Sequence, residues 1–200
     1  MSMSESNVTR GLLIRWAVWF SLGNAVLFAL IGIRYLFVFG APDTVLAGIY
    51  VAMTYAAHFA SLGLLLALVL LAPIALVLPR KDLIVGIGVL FGSLGASLVV
   101  LDTNVFEQYR FHLSALSVVL FDTSTWVLTA VVFIALLGFQ AMLAGSVWKF
   151  VAVNTNRRGG WLALLLVLVW VSGQGIHIWA DATAYTPVTR FTRTLPVYFP

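Results

Sequence analysis

The sequence predicts an all-α integral membrane protein: a five-transmembrane-helix bundle, with an amphipathic interfacial helix between helices 3 and 4. Three observations carry that expectation. Only 9% of the 200 residues are charged and 62% are hydrophobic, whereas a soluble domain carries roughly 25% charged residues. Mean hydropathy is +1.06, too apolar for a surface that must face water. The apolar residues also gather into five runs, each near or above the ~20 residues that cross a ~30 Å hydrocarbon core.

Those runs cover about residues 16–39, 47–78, 83–101, 126–148 and 160–180. Gly40, Pro42 and Asp43 end the first, and Pro79, Arg80, Lys81 and Asp82 stop the second. The first is too long for the hydrophobic region of a cleaved signal, which spans about 7–15 residues, so it reads as a retained helix. The second exceeds the bilayer requirement, and tilt, a kink near Pro73 or projection beyond one interface would accommodate it.

Five spans put the termini on opposite sides. With the N-terminus inside, the inner side holds Arg10, Arg15, Arg80, Lys81, Lys149, Arg157 and Arg158; the outer side holds Arg34, Arg110, Arg190 and Arg193. The inner set sits in short loops next to span ends, where the positive-inside rule has force. Acidic residues run the other way, with Glu5 and Asp82 inside and Asp43, Asp102, Glu107, Asp122 and Asp181 outside. Residues 1–15 are therefore expected in the cytoplasm, 16–185 as the transmembrane domain, and 186–200 on the far side as the start of a linker. Tryptophans agree with these spans. Trp161 and Trp179 stand about 27 Å apart along a helix, and Trp126 and Trp148 about 33 Å, which suits aromatic anchors at two interfaces.

The same charge pattern narrows the functional classes. A pI of 9.8 raises nucleic acid as a partner, but basic residues scattered in short loops are explained by topology, and none is expected. With no cysteine, disulfides, thiol chemistry and cysteine metal sites are excluded. No Asp, Glu or Lys falls near the middle of a span, which argues against an ion-coupled transporter, since ionisable groups at depth mark ion paths. His58, Asn24 and Gln140 read as interhelical hydrogen-bonding residues. His177 and Asp181 share a helix face but are too few ligands for a metal, and no cofactor is expected.

Between the third and fourth spans, Val105, Phe106, Tyr109, Leu113, Leu116, Val119 and Leu120 recur on one helical face, with Glu107, Arg110, Ser114 and Ser117 opposite. This is the pattern of a helix lying in the interface. Asn104 and Glu107 have capping-box spacing, although Asp102 or Thr103 could cap instead. Gly88 and Gly92 form a GxxxG pair that permits close helix packing and leaves a homo-oligomer open. Arg34 lies inside the first apolar run, where an unpaired guanidinium is costly. Asp102 and Asp181 fall at span ends, where an acid opposes the helix dipole. A polar cluster of Arg34 with Asp102, Asp181 or both is therefore expected.

At this point a family comes into view. Gly32-Ile-Arg34-Tyr35-Leu-Phe resembles the YejM/PbgA family of bacterial inner-membrane proteins. So do Val100-Leu-Asp102 through Phe106 to Arg110-Phe-His112-Leu, and Ile178-Trp-Ala-Asp181-Ala with Tyr185-x-Pro187 and Leu195-Pro. The likeness runs from about residue 15 to 200, in the family's order and spacing, and is to its N-terminal membrane region.

The resemblance implies five transmembrane helices followed by a linker and a large periplasmic domain of sulfatase or alkaline-phosphatase fold. It implies sensing of lipopolysaccharide at the periplasmic leaflet of the inner membrane. It further implies a membrane contact with the adaptor LapB, which acts with FtsH on LpxC to control lipid A synthesis. Cardiolipin binding or transport, and a role as membrane anchor of an alkaline-phosphatase-superfamily transferase, are the alternatives it carries. The 200 residues stop where the family's linker would continue into its lipid A-contacting basic segment. The chain is thus expected to be either part of a longer protein or a stand-alone membrane module, with no enzyme chemistry of its own. On that reading Arg34, Tyr35, Arg110, His112, Arg190 and Arg193 are candidate lipid contacts, because arginine heads can meet lipid phosphates while rings stay at the interface. For each arginine, pairing with an outer acid is the competing role.

Overall fold

The computed structural model describes residues 9–114, 119, 121–154, 159–192 and 194–196. Five long helices cover most of them: α1 (Arg10–Phe39), α2 (Val45–Val77), α3 (Lys81–Tyr109), α4 (Thr123–Val153) and α5 (Gly159–Ala182). A single turn, α6 (Thr186–Thr189), follows. All five are long and apolar enough to span a membrane, and no strand occurs among the described residues. In hydrocarbon each backbone N–H and C=O must find its partner within the protein, and a helix satisfies them along its own length.

The helix ends follow local chemistry. Thr9 and Thr44 cap α1 and α2, their Oγ1 atoms accepting the amides of Leu12 (3.3 Å) and Ala47 (3.2 Å), as N-cap hydroxyls do. Gly40, at φ +75°, ends α1. Leu78 is extended ahead of Pro79 and closes α2, the conformation that a following proline imposes. Within α2, Leu66–Leu71 form a π turn, the Ala72 amide reaching back to the Ala67 carbonyl. Pro73 lacks an N–H and its ring crowds the carbonyl four residues back, and the widened turn absorbs that conflict. The irregularity expected near Pro73 takes this form. Arg110, at φ 61°, ends α3, and Ala184, at φ 51°, ends α5. At the latter the Tyr185 amide bonds the Ala180 carbonyl (2.7 Å) and the Ala184 amide bonds that of Asp181 (3.1 Å), a Schellman closure.

The amphipathic stretch expected over 105–120 divides. Val105 to Tyr109 continue α3, Arg110 turns the chain, and 111–114 are not helical. Residues 115–118 and 120 lie outside the described residues. Because α3 runs unbroken through Asn104, no helix begins there for a capping box to close.

The described chain divides into two compact units. The first takes α1 up to Leu27, Leu62–Ser97 and α4. Its core is Leu13, Trp16, Phe20, Leu71 and Ile84 with small alanines between. Trp16 stacks on Phe20 with centroids 4.8 Å apart and donates its indole N–H to the Ala144 carbonyl (3.1 Å). Close approach depends on glycine. A Cβ on Gly63 would stand 2.6 Å from the Ser21 carbonyl oxygen and 2.7 Å from the Ala25 nitrogen. One on Gly88 would meet Trp16 at 2.9 Å, and one on Gly92 would meet Gln140 at 3.0 Å. The GxxxG pair of α3 thus packs within the chain. Asn24 and Gln140 exchange two amide hydrogen bonds, at 3.2 and 2.5 Å, fully buried. The outward surface of α4 is apolar and exposed, as suits lipid.

The second unit takes Phe28–Ser61, Leu98–Asp122 and the described part of Arg157–Pro200. Ala47, Tyr50, Ala180, Val188 and Phe191 form one cluster in it. The strip after α5 does not leave the bundle at once. Val188, Phe191, Thr194 and Leu195 are buried, so it lies against the helices as a strap.

Candidate functional site

The polar side chains of the second unit collect around two residues near the end of α1, Arg34 and Tyr35, and the facing stretch of α3. Tyr35 is fully buried and Asp102 is 5% exposed. The tyrosine hydroxyl donates to Asp102 Oδ2 at 2.5 Å. The same carboxylate meets His112 Nδ1 at 2.8 Å and accepts the Leu113 amide. The carboxylate oxygens thus have three partners, which is what keeps a nearly buried acid from an uncompensated loss of hydration. Aromatic packing fixes the geometry. His112 lies flat on Phe106 with centroids 4.4 Å apart, and Tyr35 meets Phe106 edge-on at 5.4 Å. The α3 exit loop is therefore folded back onto the helix it leaves.

Arg34 points the other way around α3. Its guanidinium pairs with Glu107 and bonds Asn104 Oδ1 at 2.8 Å, with Thr103 Oγ1 at 3.4 Å. Its side chain keeps 44% of its surface exposed. Asn104 and Glu107 thus serve Arg34 rather than a helix start.

Arg110 and Arg190 hold the turn that follows α1. Arg110 donates to the Val38 carbonyl at 3.1 Å and Arg190 to the Ala41 carbonyl at 3.2 Å. Arg190 also pairs with Asp43 at 2.5 Å and lies 4.7 Å over the Phe191 ring. Tyr185, at the root of the strap, reaches Thr44 at 3.4 Å.

These positions revise several expectations. Arg34 was expected to pair with Asp102 or Asp181, yet Glu107 takes it. The long arginine reaches one turn further along α3, while Tyr35 and His112 fill the space at Asp102. Asp181 is exposed on α5 and is not among the described partners of Arg34. Tyr35 and His112, expected as lipid contacts, instead serve Asp102; full burial leaves Tyr35 no surface to offer a lipid. Arg34, Arg110 and Arg190 keep exposed surface, and Arg193 lies outside the described residues. Among the described residues no three His, Asp or Glu side chains converge as metal ligands would.

Sequence reasoning missed Asp43 as the partner of Arg190, and Gly32 and Gly63 as contact points. A Cβ on Gly32 would fall 2.2 Å from Phe59. The available signal was glycine inside a helix, where it is about 1 kcal/mol worse than alanine and so persists for a packing reason.

Residues 4–200 match the family described as Domain of unknown function (DUF3413). The chain is 28% identical to the inner membrane protein YejM of Salmonella typhimurium over 197 residues, covering 94% of this chain and 34% of that protein. The YejM protein of Salmonella typhi gives the same values. An uncharacterized protein of Haemophilus influenzae is 27% identical over 198 residues, with 94% and 33% covered. The chain thus spans about a third of the length of these curated relatives, and it matches their N-terminal membrane region, where no catalytic domain is evident. The five apolar helices, the family match and these relatives together make the chain a multi-pass inner-membrane protein that belongs to the DUF3413 family, the N-terminal region of YejM.

Proposed function

We propose that this chain is the lipid-responsive membrane module of an inner-membrane regulator. It meets lipopolysaccharide at the periplasmic leaflet and acts on lipid A synthesis through a LapB-like adaptor and the FtsH–LpxC pair. Its N-terminus lies in the cytoplasm and the strap on the periplasmic side, in keeping with the arginine and lysine distribution. The observation that carries the reading is the trio Arg34, Arg110 and Arg190. All three belong to the second unit, join helix ends and loops there, and keep part of each guanidinium in the open. Guanidinium groups bind phosphate in a bidentate, charge-assisted way, and lipopolysaccharide supplies phosphates at that depth.

The test is native mass spectrometry of the chain in nanodiscs containing lipopolysaccharide, cardiolipin or neutral lipid alone. Selective retention of lipopolysaccharide is expected, along with its partial loss in an Arg34→Ala, Arg190→Ala double variant. Equal retention of all three lipids would refute the sensing role. A cardiolipin-binding role predicts retention of cardiolipin instead. Because relatives extend about twofold further than the matched region, a second reading is the membrane anchor of an alkaline-phosphatase-superfamily transferase. Transfer of a lipid headgroup by the longer protein would support it.

A further inference from the structure

The turn that ends α1 borders an apolar groove of about 290 Å³, lined by Leu36, Phe37, Pro42, Val51 and Phe191. Phe37 is 81% exposed beside it. Two cations grip this turn from other parts of the chain, Arg110 at the Val38 carbonyl and Arg190 at the Ala41 carbonyl. Their charge states are not balanced alike. Arg190 is matched by Asp43, whereas Arg110 makes no ion pair among the described residues. Arg110 is also held at φ 61°, a left-handed conformation costly for a residue with a Cβ, and such strain gathers at binding sites. The rim therefore carries a surplus positive charge and the floor is hydrocarbon.

We infer that this groove takes part of one acyl chain of an anionic membrane lipid, with Arg110 as the principal headgroup contact. Each alternative ligand leaves one half of the site unused. A free phosphate would leave the apolar floor empty, and a neutral lipid would leave Arg110 without its counter-charge. The volume lies at the bottom of the range for small-molecule pockets, roughly 300–1,000 Å³, so the rest of the lipid stays in the bilayer. The strap supplies one wall through Phe191, so a lipid that fills the groove also steadies the strap. By linkage, a steadied strap holds the lipid more tightly. This inference rests on the proposed lipid recognition and narrows it to one groove and one cation.

The test uses the whole chain in phosphatidylethanolamine nanodiscs doped with phosphatidylglycerol or lipopolysaccharide. Bound lipid is read by native mass spectrometry, and strap protection over 188–195 by hydrogen exchange. Arg110→Ala should lower retention of anionic lipid about tenfold, the loss of one charged hydrogen bond, while Arg110→Lys keeps most of it. Ala41→Trp, at an exposed position lining the groove, should block the tail with the headgroup contact intact and leave strap amides exchanging faster. If Arg110→Ala and Ala41→Trp melt like the parent yet retain phosphatidylglycerol undiminished, the groove is not the site. If lipopolysaccharide preference survives in both variants, the groove falls and the wider proposal stands. If the parent holds phosphatidylglycerol through this groove but shows no preference for lipopolysaccharide, the wider proposal falls and the groove stands.

Discussion

The two units hold their helices together by different chemistry. In the first, the contacts are neutral: Gly63, Gly88 and Gly92 let backbones and rings approach, and Asn24 and Gln140 satisfy each other. In the second, the contacts are ionisable: Asp102 with Tyr35 and His112, Arg34 with Glu107, Arg190 with Asp43. A charge at the bilayer centre costs about 2.5–3.5 kcal/mol even by lenient scales, so charges gather where helices end. Arg34 lies near the end of α1, Asp102 to Arg110 at the end of α3, and Arg190 beyond α5. The neutral unit has one good packing and resists change. The charged unit has partners that a competing anion could rearrange, which makes it the half suited to respond.

The largest effect should come from closing the tightest gap of the neutral unit. In Gly63→Val the new side chain strikes the Ser21 and Ala25 backbone, which cannot swing aside as a rotamer would. The cost should exceed the about 1–3 kcal/mol usual for overpacking, seen as a collapse in melting temperature or in yield from the membrane. Gly138→Ala, where a Cβ meets nothing within 4 Å, is the matched control and should melt like the parent. Equal behaviour of the two would mean that α1 and α2 do not pack at Gly63.

Next is Asp102→Ala in the charged unit. It strips the Tyr35 hydroxyl, the His112 ring and the Leu113 amide of one shared acceptor. Breaking a buried charged network costs about 3–5 kcal/mol. The loss should appear in thermal melting together with faster hydrogen exchange at Leu113. Tyr35→Phe, which removes one of three bonds, should cost about 1 kcal/mol. If both variants melt like the parent, the network contributes nothing.

A smaller change follows from Gln140→Leu, which leaves the Asn24 amide without its buried partner. Interhelical hydrogen bonds in membranes average about 0.6 kcal/mol, so the shift should be modest. The Asn24→Leu, Gln140→Leu double variant should recover part of it. A double-mutant cycle with no coupling would contradict the reciprocal pair.

The neutral unit was the more legible in sequence. Apolar runs, breakers at Gly40, Pro42 and Pro79, and Gly88 with Gly92 follow from composition and spacing, because a membrane helix is specified by its own residues. The five helices appear with ends displaced by a few residues, since apolar runs stop before helical hydrogen bonding does. The charged unit was legible only in part. That Arg34 needs a counter-charge follows from its depth, but which acid supplies it depends on helix rotation and side-chain reach, which no local pattern encodes. Sequence favoured Asp102; the arginine takes Glu107 because Tyr35 already occupies Asp102. Likewise, nothing in 186–196 signals that this polar, proline-bearing strip folds back, since its burial rests on Val188, Phe191 and Leu195 meeting surfaces distant in the chain.

The smallest stability effect should come from the strap, and it separates charge from packing there. Arg190→Ala removes the Asp43 pair, whose side chains are 38% and 64% exposed, along with a bond to the Ala41 carbonyl. Exposed ion pairs are worth about 0.2–1 kcal/mol, and added salt should erase part of even that. Phe191→Ala removes a ring that is 5% exposed and should cost more, about 2 kcal/mol, because hydrophobic burial is insensitive to screening. Hydrogen exchange over 186–192 should therefore rise in both variants, but only the arginine effect should shrink between low and high salt. A strap whose protection collapses with Arg190→Ala and survives Phe191→Ala would be held by charge. The second unit would then owe the position of its last segment to the same ionisable chemistry that holds α1 to α3.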